Sequence, residues 1–200
     1  MLFTRVLPLK GLLRAVVIIP LGVPTIVSAS NMSYIFDTQG YLNELLRTFH
    51  IINTSIEWTG GGIVSLIAIS LSDMWKVTPV VMLILLAGME QIPLEVFEAS
   101  RVDGASFWQT FRYITLPLLK PFITIAIIVR GIDAFRMFEL PLILVGNTVP
   151  VLSTYSYFEY FQYNNACTAA ACAVILFLLI LLCAVMYIKA VGRQKTIYNL

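Results

Sequence analysis

Residues 15–36 and 160–188 form runs of 22 and 29 residues without one charged side chain. Hydrocarbon about 30 Å thick is crossed by roughly 20 mostly apolar residues in a helix, so each run is long enough to span a bilayer. Two further stretches are as hydrophobic but carry charges: 60–89 contains Asp73 and Lys76, and 121–145 contains Arg130, Asp133, Arg136 and Glu139. Four membrane helices are therefore expected, over about 15–36, 60–89, 121–145 and 164–188. No segment alternates with the period of two that a membrane barrel requires, so the fold class is all-α, a polytopic helical membrane protein. With 59% hydrophobic and only 12% charged residues in 200, the chain has no room for a sizeable soluble domain beside its spans. A net charge of +2, with no basic run interleaved with aromatics, gives no reason to expect a nucleic-acid partner.

The basic residues orient the bundle. Arg5, Lys10, Arg14, Arg101, Arg112, Lys120, Lys189, Arg193 and Lys195 fall on one side and only Arg47 on the other. The positive-inside rule then makes both termini and the loop between the second and third spans cytoplasmic, with 37–59 and 146–159 external. Trp58, Tyr155, Tyr157, Tyr160 and Tyr163 are expected near the outer boundary, where amphipathic aromatics settle. The N-terminal stretch also has the look of a secretory signal, with Arg5, Lys10 and Arg14 before an apolar run ending in Val27, Ser28 and Ala29. That run is long enough to span, and Pro20, Gly22 and Pro24 are tolerated in membrane helices packed against neighbours.

Between the second and third spans, QIPLEVFEASRVDGASFWQTFRYITLPLLKP is far more polar than its flanks. Pro93 suits a first helical position, and Glu95 and Glu98 fall in early turns where the helix dipole favours negative charge. Asp103 and Gly104 stop this helix, because glycine takes the left-handed conformation that ends a helix without steric penalty. Ser106 and Gln109 have capping-box spacing, so a second helix is expected to start at once and to run to about Ile114, with Pro117 near its end. Val96, Phe97, Phe107, Phe111 and Ile114 give the pair an apolar side; Glu95, Glu98, Arg101 and Asp103 give it a charged one. An amphipathic hairpin lying on lipid would use the same pattern, although carboxylates rather than basic residues dominate the first helix.

At these residues the chain resembles the membrane permease subunits of binding-protein-dependent ABC importers. Their signature reads Glu-Ala-Ala, three residues, Gly, nine residues, Ile, any residue, Leu-Pro. Glu98, Ala99, Ser100, Gly104, Ile114, Leu116 and Pro117 match it, with Ser100 in place of the second alanine the only departure. The wording around the loop, together with LLRAVVIIPLGVPTIVSAS, DMWKVTP and IDAFRMFEL, is similar to the sugar-permease branch, the relatives of the maltose and glycerol-phosphate transporter subunits. The likeness runs from about Leu12 to Lys189; the external turn VGNTVP at 145–150 departs from the branch's Thr-x-Gly-Gly-Pro form.

The resemblance implies a multi-pass protein of the plasma (inner) membrane that moves a sugar or related solute. It further implies that loop 90–117 couples the membrane helices to a separate cytoplasmic ATPase dimer, with Glu98, Ala99, Ser100, Asp103, Gly104 and Ala105 as its core. A second permease subunit and an extracellular or periplasmic solute-binding protein complete the implied partners. Such subunits have six spans, and this chain reads as the last four, with the first two absent. It has no G-x-x-x-x-G-K-[ST] loop, so the expectation is no cofactor of its own, with ATP used by the partner.

Arg130, Asp133, Arg136 and Glu139 alternate in sign every three residues. Charges at membrane depth face a bundle interior or an aqueous path. Two uses fit: a lining of the translocation pathway, with Phe135 and Phe138 as stacking surfaces for a sugar ring, or a self-satisfied ladder that packs the helix. A secondary carrier or channel would use the same charges for ion coupling. Asp73 and Lys76, nearer the cytoplasmic end of their span, read as a structural pair. Cys167, Cys172 and Cys183 lack metal or redox spacing and read as packing residues, beside a small-residue face of Ala166, Ala169, Ala170 and Ala173. His50, the one histidine, has no ligand partners nearby in sequence, and neither HExxH nor GxSxG is present, so neither a metal site nor a catalytic site is expected.

Overall fold

Prolines break some of the apolar runs of this chain and are carried inside others, Pro20, Pro79 and Pro121 lying within helices, although each removes the backbone N–H that the carbonyl four residues earlier would use. The computed structural model describes residues 10–197, in which every regular element is helical. Arg5 lies outside the described residues, and so do the side chains of Lys10, Arg193 and Lys195.

The run at 15–36 is two helices, not one: α1 (Lys10–Gly22) and α2 (Thr25–Ile35), bent by 98° at the intervening residues. Pro24 forbids the helical bond to Pro20 O and disfavours helical geometry at Val23, so the chain turns there. After α3 (Tyr41–Thr48), α4 (Gly62–Glu90) fulfils the second expected span. α5 (Leu94–Val102) follows, and then α6 (Phe107–Thr110), which runs through one π turn at Phe111–Thr115 into α7 (Leu116–Phe135).

The second loop helix thus does not stop near Ile114. It is continuous with the third membrane helix, and the apolar length that can cross is Phe107–Phe135. The wide turn accommodates Pro117, whose ring would crowd the Tyr113 carbonyl in a regular helix; the Leu116 N–H instead reaches back five residues to Phe111 O. The third span also ends ten residues before the expected 145. α8 (Glu139–Leu144) is separate, because Pro141 cannot bond Met137 O, and the Ser153 hydroxyl donates to that carbonyl instead. α9 (Leu152–Phe161) precedes α10 (Ala166–Ile197), the last span. Among the described residues, three helices are long and apolar enough to cross a membrane, and four spans are reached if the bent pair α1 and α2 is one.

The chain divides into two units. One holds the chain up to Ile19 with Thr78–Gly131; the other holds Pro20–Val77 with the chain from Ile132 on. In the first, Arg14 Nη2 donates to Glu90 Oε1 at 2.9 Å, tying α1 to the end of α4. Gly88 permits a close crossing there: a Cβ at that position would lie 2.5 Å from Phe122 Cγ and 2.9 Å from Leu119 Cδ2. Gly88→Ala should therefore destabilise the unit by about 1–3 kcal/mol, and Phe122→Leu should return part of the loss, as read by thermal unfolding of the purified protein. An additive loss in the double variant would show that the two side chains do not meet.

In the second unit α2 packs on α8, with Ala29, Phe36, Ala68, Ile69, Leu140, Leu144 and Val145 as its core. Buried serines let the helices approach, each satisfied locally: Ser28 and Ser72 donate to Pro24 O and Ala68 O, and Ser65 accepts from the Gly61 N–H. α10 packs on α9 through Ala169 and Cys172, while Ala166, Ala170 and Ala173 of the expected small-residue face are exposed. The segment before α4 closes on Asn43, which is 1% exposed. Its Nδ2 donates to the carbonyls of Asp37, Thr38 and Ile56 at 3.3, 3.0 and 2.8 Å. Its Oδ1 accepts from Ile56 N and Trp58 Nε1, both at 3.1 Å. Trp58 also lies tilted against Phe36, ring centroids 5.7 Å apart, and packs partly buried against this core.

Candidate functional site

The turn between α5 and α6 is built almost wholly from backbone hydrogen bonds that its sequence specifies. α5 ends in a Schellman motif: Gly104, at φ +72°, donates to Arg101 O at 3.0 Å, and Ala105 N donates to Ser100 O at 2.9 Å. One residue later Ser106 caps α6 reciprocally. Its N–H donates to Gln109 Oε1 at 2.8 Å, and its hydroxyl accepts from Gln109 N at 3.3 Å. Pro93 is the residue before α5 rather than its first, and Glu95 occupies the first turn. Both helix ends are thus closed within a few residues, leaving little freedom for α5 to swing against α6.

Of the residues expected to form the coupling core, Glu98, Ala99, Asp103 and Gly104 are exposed, whereas Ala105 is half-buried and Ser100 is buried. The departure from the family signature thus points inward: the Ser100 hydroxyl donates to Phe97 O at 2.8 Å, which neutralises the cost of placing a hydroxyl there. The apolar side is divided. Val96, Phe97, Phe111 and Ile114 pack inward, while Phe107 is 69% and Val102 88% exposed, so the outer surface mixes carboxylates with large apolar groups. Trp108, which sequence reasoning left out, is 64% exposed and stacks on Phe111 at 5.6 Å.

The charged series does not form one helix stripe. Arg130 and Asp133 belong to α7, Arg136 lies in the break after Phe135, and Glu139 opens α8. The Arg136 N–H donates to Asp133 O at 3.0 Å, closing the helix end, and Phe138 takes a non-helical backbone at φ −131° and ψ −59°. Phe135 and Arg136 present exposed side chains, whereas Phe138 is engaged with Tyr157 at 5.2 Å. Tyr157 in turn lies 4.7 Å from Phe161, so α9 carries an aromatic cluster rather than a row of separate interfacial rings. Also on α9, the Tyr155 hydroxyl donates to Glu159, and that hydrogen bond with the carboxylate charge holds the phenol above its ordinary pKa. His50 has φ +57° and its ring rests on Arg47 O at 3.2 Å, and no group of three or more His, Cys, Asp or Glu among the described residues could hold a metal ion.

A capped helix pair fused to a membrane-length helix, within an otherwise all-helical apolar chain, defines a polytopic permease-type membrane protein. The chain belongs to the family of binding-protein-dependent transport system inner membrane components, whose model matches residues 3–195. It is 42% identical over 139 residues to the trehalose/maltose transport system permease protein MalF of Thermococcus litoralis, a match covering 69% of this chain and 46% of that one. It is 36% identical over 140 residues to the trehalose transport system permease protein SugA of Mycobacterium tuberculosis, covering 70% of this chain and 44% of that one. The sulfoquinovosyl glycerol transport system permease protein SmoG of Agrobacterium fabrum is 33% identical over 136 residues, covering 68% and 44%. The chain thus spans about half the length of the curated relatives it matches. Its fold matches a bacterial ABC transporter involved in the import of the acidic polysaccharide alginate, with a TM-score of 0.76 and 19% identity, over 95% of this chain and 68% of that one. A bacterial alginate ABC transporter in complex with alginate pentasaccharide-bound periplasmic protein gives a TM-score of 0.82 and 21% identity, over 96% and 69%.

Proposed function

We infer that the chain forms part of the membrane-spanning permease subunit of an ABC importer for a sugar or related solute, and that loop 90–117 takes up the motion of a separate ATPase. The observation that carries this reading is the doubly capped turn at Asp103 to Ser106, with Glu98 and Ala99 exposed beside it and α6 running without interruption into α7. A rigid element transmits displacement, and continuity through the π turn gives that displacement a direct route into the membrane helix. The named sugar permeases support the solute class. The alginate transporter seen with a periplasmic protein supports a solute-binding partner outside. A cytoplasmic ATPase dimer and a second permease subunit complete the assembly in this reading. The chain performs no catalysis and holds no cofactor; ATP is consumed by the ATPase.

Both termini and the loop face the cytoplasm of a plasma or inner membrane, in line with the nine basic residues on that side. In this account Glu98 makes polar contact with the ATPase and Ala99 permits close approach. Glu98→Lys should weaken retention of the ATPase on the purified permease by about ten-fold or more, as expected when a contact charge is reversed, without changing membrane insertion. Undiminished ATPase retention by that variant would remove Glu98 from the contact.

A further inference from the structure

The break between α1 and α2 lies among apolar residues, yet it leaves backbone carbonyls without helical partners. Pro24 has no N–H for Pro20 O, and Val23 lies in the bend itself. Lys76 supplies what is missing. Its Nζ donates to Pro20 O at 3.0 Å and also to Val23 O. Lys76 is the midpoint of α4 (Gly62–Glu90), so where α4 crosses a bilayer this ammonium stands near mid-depth, where charge is expensive. At Met137 O, which Pro141 likewise leaves without a helical partner, a neutral serine hydroxyl is enough. The difference is that α1 ends at the bend, with its dipole's negative pole and two carbonyls converging there, and such half-helix ends in membrane transporters hold a cation.

We propose that Lys76 is a built-in cation of the broken first span: its ammonium takes the place that a bound monovalent ion would fill and fixes the angle between α1 and α2. The side chain is half-buried and the carbonyl of Pro20 is on a buried residue, so solvent is not the ready substitute. The bend therefore needs no sodium or potassium ion to keep its geometry, because the cation is covalently tethered to α4.

The inference does not rest on the transport reading, and its test reads geometry rather than uptake. Spin labels at Leu21→Cys and Ile26→Cys, both exposed, bracket the bend in the full chain reconstituted in bilayers. A cysteine-free background carrying only these labels gives the reference distance distribution. Lys76→Ala should broaden it, ethylammonium should narrow it again with a saturable dose dependence, and tetramethylammonium, which has no N–H, should not. Lys76→Arg should keep the reference distribution. If Lys76→Ala does not insert, Lys76→Gln takes its place, and broadening is again expected because an amide donates without charge. An unchanged distribution in the inserted neutral variant, or equal responses to the two ammonium ions, would overturn the proposal.

Discussion

Gly104→Val should abolish ATPase-driven uptake while leaving the amount of protein in the membrane unchanged. The cause is conformational, not steric crowding: no atom lies within 4 Å of where a Cβ would stand, but φ is +72°. A β-branched residue is an outlier in that region, and even an ordinary L-residue pays about 1–2 kcal/mol there. The two bonds that end α5, from Gly104 N to Arg101 O and from Ala105 N to Ser100 O, exist only while this residue stays left-handed. Valine would shift the backbone toward negative φ, open both bonds and re-aim α5 against α6, and so displace Glu98 and Ala99 from the proposed contact with an ATPase. The conformational argument also ranks the substitutions. Gly104→Asn should retain most of the uptake because asparagine tolerates the left-handed region, Gly104→Ala should retain less, and Gly104→Val none. Equal loss in all three variants would show that what matters is the absence of a side chain at the contact, not the φ angle.

Asn43→Leu should destabilise the segment before α4 by about 1–3 kcal/mol, because it removes the polar group of a buried side chain that joins several partly buried and exposed partners. Leucine has similar size and lacks every polar group, so Ile56 N, Trp58 Nε1 and the carbonyls of Thr38 and Ile56 would lose their bonds to this side chain, while Asp37 O would keep the Gly40 N–H. Asn43→Asp keeps the acceptor for Ile56 N and Trp58 Nε1 but turns a carboxylate oxygen toward the carbonyls of Asp37, Thr38 and Ile56. It should therefore also destabilise, and more strongly at neutral than at acid pH. Trp58 fluorescence reports the loss directly, since its indole N–H bonds to Asn43 and its ring lies beside Phe36. An unchanged emission maximum and unfolding midpoint in Asn43→Leu would contradict the assignment of Asn43 as the hub of this segment.

The capped turn between α5 and α6 was legible in the sequence to within a residue, whereas the shape of the membrane helices was not. Gly104 and the Ser106 and Gln109 pair are local signals whose partners lie within five residues, so spacing alone specifies the bonds. Hydropathy counts side chains and is blind to where backbone carbonyls find donors. It therefore joined α1 to α2 across Pro24 and extended the third span past Pro141, although both prolines were visible. The signal that would have corrected both is a proline four residues after a carbonyl, with a donor supplied from afar: Lys76 in one case, Ser153 in the other. The charge series misled for the same reason, since a spacing of three makes a stripe only on a helix that continues. Asn43 was passed over because Ile56 and Trp58, its partners, lie 13 and 15 residues away, a distance no local pattern reaches.

In the proposed function, the turn at Gly104 couples this protein to a separate ATPase. The most direct measurement is ATP hydrolysis and solute uptake in proteoliposomes holding the full assembly, with and without solute-loaded binding protein, for wild type and Gly104→Val. The account predicts that binding protein stimulates hydrolysis and uptake in the wild type, and that in the variant, inserted to the same level, neither responds. Normal uptake by Gly104→Val, or uptake driven by an ion gradient with no ATP present, would contradict it.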